Sequence, residues 1–124
     1  MLRQVARPYY PHLIIWLLAL SLRWAYSLAL PAGVQLHDID ARGYHQIALN
    51  LLDGHGFSLN SEPPWLPDAI RTPAYPLFDA TVYVLTGVET RHVALAQGLL
   101  DSGTVLLVIV LLFRPQGLFG RRPS

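Results

Sequence analysis

HLIIWLLALSLRWAYSLAL, residues 12–30, is the stretch that decides the fold. After its first residue it is apolar apart from Ser21, Arg23 and Ser27. At 1.5 Å rise per residue it covers roughly 30 Å, the hydrocarbon thickness of a bilayer. A second stretch of similar length, VALAQGLLDSGTVLLVIVLLF, residues 93–113, is interrupted by Gln97, Asp101, Ser102 and Thr104. Both predict helices that span a membrane. A secretory leader is the competing reading of the first, because Arg3 and Arg7 precede it. Its apolar part is longer than a leader core, however, and it ends in Leu-Pro-Ala-Gly-Val without a small-x-small cleavage pattern, so it is read as an uncleaved span.

The rest of the composition agrees. The chain is 52% hydrophobic and 14% charged, against about a quarter charged in soluble domains, which is too little charge to coat a globule in water. A net charge of +1 argues against a nucleic-acid partner, which needs a basic field. The absence of cysteine excludes disulfides, thiolate metal sites and cysteine nucleophiles. The expected fold is an all-α membrane protein of one module, with transmembrane helices at 12–30 and 93–113. Between them lies a loop, 31–92, carrying short juxtamembrane helices near 40–53 and 74–86; a tail, 114–124, follows.

Arginine placement orients the module. Arg3 and Arg7 precede the first span, and Arg114, Arg121 and Arg122 follow the second, whereas residues 31–92 hold seven acids, Asp38 to Glu89. Both termini are therefore expected in the cytoplasm and the loop facing the periplasm or the cell exterior; the membrane itself is expected to be a bacterial cytoplasmic one. Arg23 and Asp101 sit inside the spans, each about 11 Å below the outer surface at 1.5 Å per residue. Three readings stand for them: an ion pair between antiparallel neighbours, an Arg23 that lines a polar cavity and meets an anionic ligand, or an Arg23 that snorkels outward.

In the loop, Tyr44, Ile47, Ala48, Leu51 and Leu52 fall at i, i+3, i+4, i+7 and i+8, one apolar helical stripe. Asp38 or Asp40 is the natural N-cap and Gly54 the natural stop, giving an amphipathic helix in the outer interface. Residues 77–86, ahead of Gly87, are apolar except for Asp79 and Thr81 and too short to span, which suits a re-entrant or interfacial helix with Pro73 and Pro76 in its first turn. There is no phosphate-binding glycine loop, zinc-protease motif or nucleophile elbow. His37, Asp38, Asp40 and His45 are ligand-type side chains in no strong metal spacing; a divalent metal is the lesser reading of them, and no cofactor is expected. A carboxylate at the mouth of a membrane cavity acts as a general base, and a nearby arginine holds a phosphate through paired hydrogen bonds. Asp40 and Arg71 have that chemistry. The plainer readings are an N-cap for Asp40 and a headgroup anchor for Arg71.

The order of features then becomes specific: Asp40-Ala-Arg-Gly-Tyr44, Asn50-Leu-Leu-Asp-Gly54-His-Gly56-Phe57, Arg71-Thr-Pro-Ala-Tyr75-Pro76 and Gln97-Gly-Leu-Leu100. Over residues 12–112 this resembles the N-terminal part of C-type glycosyltransferases, in the branch of protein mannosyltransferases and aminoarabinose transferases. The resemblance implies an enzyme that takes sugar from a polyprenyl-phosphate carrier outside the cytoplasm. It implies Asp40 as the essential loop acid, acting as general base, with Asp38 the second choice. Arg71 would contact the lipid phosphate, and Tyr44, Arg23 and Asp38 are further candidate substrate contacts. The expected partners are the lipid bilayer, the polyprenyl-phosphate-linked sugar and another membrane chain completing the bundle. Members of that family have many more spans, so this chain is expected to be a fragment or module, inactive alone. Two alternatives are a non-catalytic two-helix subunit for assembly and a piece of a transporter. The second rests on residues 111–122, which resemble the cytoplasmic end of branched-chain amino-acid permeases.

Overall fold

A computed structural model of the chain describes residues 10–113. Arg3, Arg7 and the tail 114–124 lie outside the described residues. The elements are helix α1 (Tyr10–Ala29), one 3-10 turn (Val34–His37), and helices α2 (Ile39–Leu52), α3 (Ala74–Thr86) and α4 (Thr90–Phe113). Among the described residues no strand forms; Ser58 and Pro67 make an isolated antiparallel bridge. Two of the helices, α1 and α4, are long and apolar enough to cross a membrane.

The described residues divide into two compact units, residues 10–26 with 97–113 and residues 27–96. In the first, α1 and α4 meet at Gly98, where an added Cβ would lie 3.4 Å from Trp24 Cδ1 and 3.5 Å from Arg23 Cβ. One turn on, Ser102 is fully buried and its hydroxyl donates to the Gly98 carbonyl at 2.7 Å. Most other apolar side chains here are exposed, among them Leu18, Leu22, Leu107 and Leu112. A core helix of a water-soluble domain would have buried them.

The second unit has a core of its own. Ile47 and Ala48 of α2 are completely buried; Ala80, Val82 and Tyr83 of α3 and Val93 of α4 are buried with them. The sequence places the α2 stripe in an interface; in the structure its centre is covered by α3. Leu77, Val84 and Leu85, on the other side of α3, remain exposed.

Local chemistry sets the ends of these helices. Asp38 is the N-cap of α2, accepting from the Asp40 N–H at 2.8 Å, the usual reach from a cap to the second helical residue. At the far end His55 N–H bonds to Asn50 O and Gly54 N–H to Leu51 O. This paired closure needs a left-handed residue after the cap, and Gly54 supplies it at φ 77°. The loop that follows contains a cis Pro63–Pro64 bond and is organised by buried Asn50. The Asn50 amide donates to Ser58 O at 2.6 Å and Asn60 O at 2.9 Å, while its oxygen accepts from Gln46 Nε2 at 3.2 Å.

Candidate functional site

The first turns of α2 and the segment leading into α3 bring Asp40, Gly43, Tyr44, Asp68 and Arg71 together. Arg71 reaches this place because Asp68 folds the chain ahead of it: Asp68 Oδ1 accepts from the Ile70 N–H at 3.2 Å. The guanidinium then lies against Gly43. A Cβ on Gly43 would sit 2.8 Å from Arg71 Nε, 2.9 Å from Cζ and 3.0 Å from Nη2. A glycine inside a helix costs about 0.5–1 kcal/mol relative to alanine, and here it makes room for the arginine.

Two carboxylates flank the guanidinium. Nη2 stands 3.6 Å from Asp40 Oδ1 and Nη1 stands 3.6 Å from Asp68 Oδ2. These distances define ion pairs and exceed hydrogen-bond length. Arg71 Nε and Asp68 Oδ2 are buried without a hydrogen-bond partner, so part of the arginine's hydrogen-bonding capacity is unspent. The three side chains differ in access: Arg71 is 17% exposed and Asp68 6%, whereas Asp40 is 74% exposed. The Tyr44 ring centroid lies 6.0 Å from Cζ of Arg71, the outer limit of a cation–π contact. Tyr44 in turn packs on Tyr75 at 5.0 Å between centroids. The result is a cation seated against a helix backbone beside an aromatic ring, with an exposed carboxylate at its edge.

The other candidate residues are placed differently. The side chain of Asp38 is engaged as the cap of α2. His37 ends the 3-10 turn, and His45 Nδ1 bonds to the Tyr83 hydroxyl at 2.7 Å. Among the described residues no three His, Asp or Glu side chains gather as metal ligands do. Arg23 belongs to the first unit, where its Nη1 donates to Ala19 O at 3.5 Å. Among the described residues no ion pair joins it to Asp101, which is exposed. The physical reason is azimuth. At about 100° per residue, Asp101 lies roughly 60° around α4 from Gly98, which faces α1.

A second polar cluster forms around Asp79, Tyr83 and His45. Asp79 is 4% exposed and its Oδ1 has no hydrogen-bond partner. Burial raises its pKa to about 6. Burial also pushes Tyr83 up to about 12, with Asp79 and Tyr75 adding to the rise. Burial lowers the pKa of His45. Asp79 and Tyr83 are four apart on α3 and so share a face, a spacing that could have drawn attention to them. For Gly43 the available signal was a glycine in the middle of a helical pattern. Compared with protein-family models, curated proteins and solved structures, the chain matches none.

Proposed function

We propose that the chain is the N-terminal membrane module of a glycosyltransferase that moves sugar from a polyprenyl-phosphate carrier to an extracytoplasmic acceptor. In this reading α1 and α4 cross a bacterial cytoplasmic membrane with both termini inside, and residues 31–92 lie outside. The exposed apolar side chains of α1 and α4 support the membrane part, since a lipid environment is the one that stabilises such a surface. The exposed Leu77, Val84 and Leu85 of α3 suit a helix lying in the outer interface.

The observation that carries the chemistry is the Arg71 guanidinium seated on Gly43 between Asp40 and Asp68. Because Asp40 is largely exposed, its pairing with Arg71 is worth no more than about 1 kcal/mol. A hydrogen bond from the guanidinium to a phosphate is worth about 1.5–3 kcal/mol, and Arg can make two in parallel. The carrier phosphate therefore displaces Asp40 from Arg71, and binding of the donor frees the base. Asp40 then takes the proton of the acceptor hydroxyl as the acceptor oxygen attacks the anomeric carbon. The bond from that carbon to the phosphate oxygen breaks, and its electron pair leaves on the polyprenyl phosphate, whose charge Arg71 holds. Two spans cannot enclose a sugar against lipid, so further helices, on the same or another chain, complete the pocket.

The test is sugar transfer in membranes that hold the completed enzyme. Asp40→Asn is expected to lower transfer by about 10²–10⁴-fold at unchanged protein level. Transfer at the wild-type rate removes Asp40 from the mechanism.

A further inference from the structure

Asp101 and Arg23 pose a problem that the single chain leaves open. An acid within a span is rare and almost always meets a partner inside a helix bundle, yet Asp101 is exposed and no ion pair joins it to Arg23. The heights of the two charges can be worked out from the contact at Gly98. Arg23 Cβ is level with Gly98, 3.5 Å from where a Cβ would lie. Asp101 is three residues further along α4, about 4.5 Å deeper. The Arg23 guanidinium runs the same way, because side chains lean toward the N-terminus of their helix. It reaches the Ala19 carbonyl, one turn or about 6 Å deeper along α1. The Asp101 carboxylate leans toward the N-terminus of α4, back toward Gly98, so the two charges sit at similar heights, within about one helical turn, and the arginine is turned into the span rather than out to the surface.

We propose that α4 docks on α1 of a second copy of this chain, so that Asp101 of each copy pairs with Arg23 of the other. The proposal rests on the membrane reading of α1 and α4 but not on the glycosyltransferase reading. Copies inserted in one orientation carry both charges at equal depth. A two-fold axis along the membrane normal then forms the pair twice, since an isologous interface repeats every contact with the roles exchanged. Because α4 and the second copy's α1 run antiparallel, the charges meet at the height already set within each chain. The chain itself therefore supplies the cation that Asp101 needs.

Charge-swap mixing tests this, read as energy transfer between donor- and acceptor-labelled full-length chains in vesicles. Wild-type chains are expected to associate. Asp101→Arg chains alone, and Arg23→Asp chains alone, set like charges against each other and are expected to lose association by at least about tenfold. A mixture of Asp101→Arg with Arg23→Asp chains restores both pairs and is expected to associate as wild type does. Pairing within one chain cannot produce that rescue. Wild-type chains that stay monomeric, or variants that fail to rescue each other while remaining inserted, overturn the proposal. Release of the wild-type chain from membranes by alkaline carbonate overturns the membrane reading and the proposal with it. If the wild type is retained and either variant is released, Asp101→Asn and Arg23→Gln replace the swaps; unchanged association of both overturns the proposal.

Discussion

Replacing Gly43 with alanine separates stability from function at the Arg71 site. The added methyl would lie 2.8 Å from Arg71 Nε and 2.9 Å from Cζ. The guanidinium must retreat by about 0.7 Å or more to reach the ~3.5 Å optimum of a nonbonded contact. The obstructing atoms are the end of a flexible side chain, so the helix itself need not move. The retreat weakens the pairing with exposed Asp40, worth about 0.2–1 kcal/mol, and with Asp68. Against this, alanine stabilises α2 by about 0.5–1 kcal/mol over glycine. The net change in stability is expected within about 1 kcal/mol. Function should respond differently. Loss of one charge-assisted hydrogen bond to phosphate costs about 1.5–3 kcal/mol, or roughly 10- to 150-fold in affinity. The assay is titration of the chain in nanodiscs with a polyprenyl phosphate, alongside thermal unfolding of the same sample. Unchanged binding would refute the role given to Arg71. Destabilisation beyond about 2 kcal/mol would show that Gly43 serves the packing of α2 instead.

Two further substitutions probe the second unit. Asp79 gains protons on folding, because burial lifts its pKa from 3.8 to about 6. A folded-state pKa above the unfolded one makes the carboxylate a penalty that grows as pH rises from about 4 to 6 and is complete above that, about 3 kcal/mol at 1.36 kcal/mol per pH unit. Asp79→Asn is therefore expected to raise stability by up to about 3 kcal/mol at pH 8 and by little at pH 3, read from unfolding midpoints across that range; an equal effect at both ends contradicts the assignment. Asn50→Ala strips the buried Ser58 carbonyl and the Asn60 carbonyl of their donor. It is expected to cost about 1–3 kcal/mol and to speed hydrogen exchange in residues 57–68, while α1 keeps its wild-type exchange.

What could be read in the sequence was what repeats locally. The apolar runs gave α1 and α4. The stripe through Tyr44, Ile47, Ala48 and Leu51 gave α2, and Gly54 and Gly87 marked where α2 and α3 stop. Asp40 and Arg71 were singled out for their chemistry, and the structure puts them 3.6 Å apart. The contacts that seat Arg71 were not readable, since Gly43 and Arg71 are far apart in the chain and no local period encodes their approach. Nothing in the local pattern around Asp68 signals that its side chain is buried beside Arg71. The burial of Asp79 comes from packing around α3, which the sequence of α3 alone does not contain. For Arg23 and Asp101, counting residues gave depth but not direction around the helix, and direction decides whether two charges at one height can meet.

Binding of the carrier by Arg71 tests the account most directly. The wild-type chain in nanodiscs would be titrated with a polyprenyl phosphate and with the matching polyprenol, and Arg71→Gln with the same pair. The account predicts that the wild type prefers the phosphate by roughly tenfold or more, the scale of a charge-assisted hydrogen bond, and that Arg71→Gln removes the preference. Equal binding of phosphate and alcohol by the wild type, or a preference that survives Arg71→Gln, would contradict it.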